Sequence, residues 1–225
     1  MFANNIGPAI GIPLVMTVPL FGFFFISYFG SFVLMMLADK HSGDFTRTTM
    51  YVLGAIVGLV LLIFALVLPA VEAGVYACFL GGVRTRKLTA DKLGAGFRQW
   101  WACTWVAWAS WLATLICLPF VVVLVGLPAL YAVQTVKWLA LCRIVDKGQG
   151  GMEALAFAGN ALQGRLWMML LFTLLAITLM GAGASAIYLG ILVTVPIGLG
   201  AMAAGYHALS ARQAPSGNLT APRGG

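Results

Sequence analysis

The sequence predicts an all-α integral membrane protein, a polytopic helical bundle of about six transmembrane helices with cytoplasmic interfacial segments. Two observations carry that prediction. Of 225 residues, 62% are hydrophobic and 8% charged, against about 45–50% and about 25% in a soluble domain. Four apolar blocks also exceed the roughly 20 residues that cross about 30 Å of hydrocarbon. So little charge excludes a disordered chain, and the lack of a Gly-X-Y or heptad repeat excludes a fibrous one.

The first block, Pro13 to Leu37, is rich in phenylalanine and reads as one span. The connection Ala38 to Met50 follows, carrying Asp39, Lys40, His41, Asp44 and Arg47. The second block, Tyr51 to Val83, would extend roughly 50 Å as a straight helix, too far for one crossing. Pro69, which lacks a backbone donor, is expected to divide it. A span would then end near Leu68 to Glu72, with a tilted or interfacial continuation, or a re-entrant element, through Gly74 to Gly82. The third and fourth blocks, Trp100 to Leu141 and Leu166 to Leu209, are each long enough for a hairpin of two spans. Helix breakers place the turns near Pro119, Gly126 and Pro128, and near Gly181, Gly183 and Gly190. Residues 1–210 thus read as a single transmembrane domain, and residues 211–225, rich in Pro, Gly, Ser and Asn, as a disordered cytoplasmic tail.

The formal charge of +7 reads as an orientation signal rather than a nucleic-acid footprint. Ten of the thirteen basic residues fall on one side of this layout: Arg84, Arg86, Lys87, Lys92, Arg98, Arg143, Lys147, Arg165, Arg212 and Arg223. Basic residues are retained on the cytoplasmic face, which places both termini there. Trp100, Trp101, Trp138 and Trp167 fall close to that boundary, where indole rings prefer to lie. The first residues, Met1 to Ile12, lack the charged region of a cleavable signal.

Several features are candidate carriers of chemistry. Trp100, Trp101, Trp105, Trp108 and Trp111 fall within an arc of roughly 140° on a helix, opposite Ala102, Val106, Ala109 and Ala113. The smooth side suits close helix packing. The bulky side suits lipid, a partner helix or a flat aromatic cofactor, with lipid or helix contact the default. Gly54 and Gly58 form a Gly-x-x-x-Gly pair, a helix-contact motif whose default use is packing within the chain. Glu72 and Lys137 are the ionisable groups inside apolar blocks and so the candidate intramembrane pair. They either reach the headgroups along their stems or pair with each other at similar depth, as a structural ion pair or as a proton or substrate site. Arg84, Arg86, Lys87, Lys92 and Arg98 form a candidate docking surface for anionic lipid or an acidic partner, with Leu88, Leu93 and Phe97 entering the headgroup boundary.

His41 and His207 lie near opposite faces in this topology and cannot jointly bind a haem iron. Cys78, Cys103, Cys117 and Cys142 lack metal or disulfide spacing and read as small hydrophobes. No phosphate-binding loop, zinc-protease motif or nucleophile elbow occurs. Asp91 lies on one cytoplasmic connection and Asp146 and Glu153 on the next, and they make no obvious acid–base pair. Neither an enzyme nor a bound cofactor is expected.

Gly74-Val75-Tyr76, the run from Arg86 to Phe97, Ile144-Val145-Asp146-Lys147-Gly148, Glu153-Ala154-Leu155 and Leu192-Val193-Thr194-Val195-Pro196 with Tyr206 resemble a bacterial group of multi-spanning proteins. That group is similar to the membrane domain of glycerophosphoryl diester phosphodiesterases. The resemblance covers residues 68–210 and implies a helical bundle with two cytoplasmic interfacial segments. It implies no hydrolysis, because nothing outside the spans is long enough to hold the catalytic domain. The expectation is a non-enzymatic accessory or scaffold protein of a bacterial inner membrane that organises lipids, a membrane-protein partner or a second copy of itself. The competing expectation is a small transporter using Glu72 and Lys137.

Overall fold

The computed structural model describes residues 7–14, 28–30, 32, 33, 36, 44–121, 126–185 and 189–213. The described chain is helical and contains no strand. Residues 7–14 form α1. Then come α2 (Asp44–Thr85), a 3-10 turn (Ala90–Lys92), α3 (Ala95–Arg98), α4 (Trp100–Val121), α5 (Gly126–Lys147), α6 (Gly151–Leu162), α7 (Leu166–Ser185) and α8 (Leu189–Gln213). Most of the first predicted span lies outside the described residues, as do Asp39 to His41 and the tail beyond Gln213. The tail was expected to begin at Ala211, but α8 continues through Ala211, Arg212 and Gln213.

The third and fourth blocks each form a pair of antiparallel helices. In the first pair, Gly126 lies beside Phe120 and Val121 at one end, and Gly148 beside Gln99 at the other. In the second, Gly198 lies beside Met180 and Gly205 beside Phe172, and Thr194 Oγ1 donates to the Met180 carbonyl at 3.3 Å. Two described helices, Gly54–Thr85 and Trp100–Val121, are long and apolar enough to cross a membrane. The count rises to 3 if α6 and α7, bent from one another by 108°, form one broken span. With Gln134, Lys137 and Arg143 along its length, α5 is less apolar than α4.

The second block departs from expectation. Instead of ending near Pro69, α2 runs through it and measures 42 residues in all, roughly 63 Å at 1.5 Å per residue. What changes at Pro69 is burial. From Tyr51 to Val67 the helix is largely exposed, whereas Pro69 and almost every residue from Ala73 to Gly82 are buried. The buried half packs Val75, Cys78 and Phe79 into one core with Leu139, Leu141 and Ile144 of α5 and Ala203 and Tyr206 of α8.

Proline removes the N–H that would bond the carbonyl four residues back, here that of Ala65, and its ring crowds the same turn. In an apolar medium a carbonyl without a donor is costly, and neighbouring helices re-satisfy it. One donor from α4, Trp108, reaches that carbonyl, and two more bond its neighbour, Leu66. Trp100 Nε1 donates to the Leu66 carbonyl at 2.6 Å, Thr104 Oγ1 donates to the same oxygen at 3.3 Å, and Trp108 Nε1 lies 3.5 Å from the Ala65 carbonyl. Helical continuity through the proline is thus supported from a second helix.

The segment after α2 returns along the buried half of that helix. A Cβ on Gly74 would overlap the Leu93 carbonyl, and one on Gly96 would overlap the Ala70 carbonyl. Both positions therefore admit only hydrogen. Farther along, α6 buries a small-residue face of Gly151, Ala154, Ala158 and Ala161. The bend into α7 uses Gly164 at φ +76°, a left-handed conformation that costs glycine no Cβ clash.

Candidate functional site

Glu72 stands three residues beyond Pro69, at the start of the buried half of α2, and Lys137 lies midway along α5. Lys137 Nζ is 2.7 Å from Glu72 Oε2, with the two side chains 15% and 13% exposed. Of the two arrangements open in the sequence, pairing is the one the structure adopts; neither stem carries its charge away from the other. Burying one such charge alone costs several kcal/mol even after relaxation, and the partner offsets that cost only at close range and good geometry.

A second polar cluster joins α2, α5 and α8. Arg84 Nη1 donates to Asp146 Oδ1 at 2.5 Å, and Tyr206 donates its hydroxyl to Asp146 Oδ2 at 3.0 Å. The Asp146 side chain is 3% exposed, whereas Arg84 is 38% exposed. Burial alone would raise the Asp146 pKa, but the hydrogen bonds from Arg84 and Tyr206, with the nearby positive charge of Arg84 and Lys147, outweigh it and hold the carboxyl below its ordinary value. On the same end, Arg143 Nε donates to Gln149 Oε1 at 2.6 Å, and its guanidinium lies 4.3 Å from the Phe157 ring centre. Phe157 in turn meets Tyr206 edge-on at 6.0 Å.

The basic segment reads differently in three dimensions. Arg84 is committed to Asp146. Arg86 takes a left-handed conformation at φ 58°, and the Lys92 stem lies against Gly81. Lys87, Lys92 and Arg98 are exposed. The apolar side chains among them divide: Leu88 is buried and Leu93 packs against the core, while Phe97 is exposed. Two of the three expected headgroup contacts are therefore core contacts, because the return along α2 brings them against protein.

The buried face of α4 is rotated from the predicted smooth side: of Ala102, Val106, Ala109 and Ala113 only Val106 is buried and the other three are half-buried. Cys103, Val106, Ala107 and Ser110 are buried, while Trp101, Trp105, Trp108 and Trp111 are exposed to differing extents. The indole N–H groups of Trp100 and Trp108 reach α2, a use of the aromatic face that helical periodicity could not show. Among the described residues, nothing lies within 4 Å of a Cβ at Gly54 or Gly58. Beside α4 and α5 is a recess of about 240 Å³, lined by Ala109, Ser110, Ala113, Ala132, Val133, Val136 and Leu155. Its lining includes neither Glu72 nor Lys137.

Deeper in the bundle, Thr135 donates to the Tyr131 carbonyl at 2.6 Å. The Thr173 hydroxyl lies 2.8 Å from that of Thr135, and Trp138 Nε1 donates to Thr173 at 3.2 Å. Among the described residues no buried side-chain nitrogen or oxygen lacks a partner, and no three His, Cys, Asp or Glu side chains are grouped to hold a metal ion. Cys78, Cys103 and Cys142 are free and buried, and Cys117 is half-buried. His207 lies in α8, and His41 is outside the described residues.

The Asp146 cluster was missed from sequence because its members stand on three separate blocks. The signal available was limited to an Arg and an Asp at the ends of two apolar blocks, with a tyrosine near the end of a third.

Two outcomes follow from these geometries. Replacing either member of the buried pair, Glu72→Gln or Lys137→Met, lowers unfolding stability by about 3 kcal/mol, because the remaining charge is stranded. Replacing both with leucine recovers most of that loss; thermal unfolding of the three variants in detergent measures both effects. For Asp146, the folded pKa lies below the unfolded value of about 3.9. Its contribution is therefore fully present above that value and is lost as pH falls through the lower, folded pKa. Asp146→Asn lowers the melting temperature at pH 7, and the difference from the parent protein shrinks as the pH is taken down through that range.

No family model, curated protein or solved structure matches the chain.

Proposed function

We propose that the protein is a non-enzymatic accessory or scaffold component of a bacterial inner membrane. In this reading α4 with α5, α7 with α8, α2 and the N-terminal apolar block supply six crossings, with both termini in the cytoplasm. The basic residues retained on one side support that orientation. The observation that carries the functional reading is how the intramembrane charges are used. Glu72 and Lys137 close on each other at 2.7 Å, and a recess of about 240 Å³ beside α4 and α5 is lined by other, almost wholly apolar side chains. A permeation site needs ionisable groups that face a water-filled path; a scaffold needs a tied interior and an outer surface free for contact.

That outer surface consists of the exposed half of α2, the aromatic side of α4 and the cations Lys87, Lys92 and Arg98. Each cation near an anionic surface contributes roughly 1 kcal/mol, so anionic phospholipid headgroups are the natural ligands of this segment. A small transporter is the competing reading, and the location of the Glu72–Lys137 pair between two long helices is what favours it.

One preparation tests both. The full chain is purified in mild detergent, its retained lipids are identified by mass spectrometry, and it is reconstituted into vesicles for solute-flux assays. The scaffold reading expects retained anionic phospholipid, reduced several-fold by the triple variant Lys87→Gln, Lys92→Gln, Arg98→Gln, with no solute flux. Measurable flux abolished by Glu72→Gln contradicts it and supports the transporter.

A further inference from the structure

The Pro69 junction has an unusual division of labour. Ordinarily the hydrogen bonds that hold a helix straight are its own. At this turn of α2 the Ala65 carbonyl has lost its donor to the proline, and the groups that approach Ala65 and Leu66 belong to α4: Trp100 at 2.6 Å, Thr104 at 3.3 Å and Trp108 at 3.5 Å. The two sides of the junction also differ in restraint. Beyond Pro69 the helix is buried in the core and tied by Glu72 to Lys137 and by Arg84 to Asp146. Before it, from Tyr51 to Val67, the helix is largely exposed.

From these observations we propose that Pro69 is a hinge in α2, and that Trp100, Thr104 and Trp108 are the latch that sets its angle. With the three donors in place, the arm before Pro69 and the buried half form one continuous helix. When they withdraw, the Ala65 carbonyl, whose helical donor the proline has removed, loses the Trp108 N–H, and the Leu66 carbonyl beside it loses two further donors. The turn then relieves the loss by bending, as proline-containing helices do. The hinge itself does not depend on the scaffold reading.

Spin-label distance measurements on the full chain in nanodiscs test the proposal. Cys117 is replaced by serine, Cys78, Cys103 and Cys142 being buried. One label pair spans the arm and the bundle, at Leu62 and Leu175; a control pair lies wholly within the bundle, at Leu115 and Leu175, all three exposed positions. The expected result is a narrow Leu62–Leu175 distribution in the parent. The triple variant Trp100→Phe, Thr104→Val, Trp108→Phe shifts and broadens it, and adding Pro69→Ala, which returns the helix's own N–H, narrows it again. The Leu115–Leu175 distance stays fixed throughout.

The proposal is overturned if the arm distance is insensitive to the triple variant, or if Pro69→Ala fails to restore it. It is also overturned if the control distance broadens in parallel, since the three side chains would then hold the whole bundle rather than one joint.

Discussion

A carboxylate and an ammonium group held among apolar side chains persist only as close neighbours, and the contact between Glu72 and Lys137 satisfies that condition across two helices. It joins the start of the buried half of α2 to the middle of α5. Twelve residues farther along α2, and nine along α5, Arg84 and Asp146 repeat the connection, with Tyr206 bringing in α8. Two ion pairs on the same two helices fix both the rotation and the sliding of one against the other. Apolar packing between similar side chains specifies these weakly in lipid, where no hydrophobic driving force separates one helix face from another.

The same constraint, that polar groups be satisfied inside the molecule, explains the close approaches. Gly74 and Gly96 allow the return segment to lie directly on α2. The tryptophan-rich side of α4 completes the proline turn. The hydroxyls of Thr135 and Thr173 pair with each other and receive the Trp138 N–H. Among the described residues, large apolar side chains such as Leu59, Trp101, Leu115 and Leu175 stay exposed.

The helical class, the two hairpins and the bulky tryptophan face of α4 were all legible in the sequence, because each follows from local composition or from a period of about 3.6 residues. Glu72 and Lys137 were legible as candidates because charge is rare in apolar blocks. Their choice of each other was not, since pairing depends on how distant blocks pack. Pro69 illustrates the limit well. Its local chemistry argues for a break, and the break is averted by donors lying 31 to 39 positions later in the chain. The basic run Arg84 to Arg98 shows the reverse case: its charges suggested one continuous surface, yet Asp146 claims Arg84 and the core claims Leu88. Tertiary partners, invisible to local pattern, decided both outcomes.

The contact on which this account turns can be measured directly. With ¹⁵N at lysine side chains and ¹³C at glutamate carboxyls, solid-state NMR dipolar recoupling in lipid bilayers reports their separation. Comparison with Lys137→Arg identifies the signal of this lysine. Strong dephasing consistent with a nitrogen–oxygen distance of 2.7 Å is the predicted result. A Lys137 nitrogen with no carboxyl carbon within reach, in a protein otherwise folded, would contradict the account.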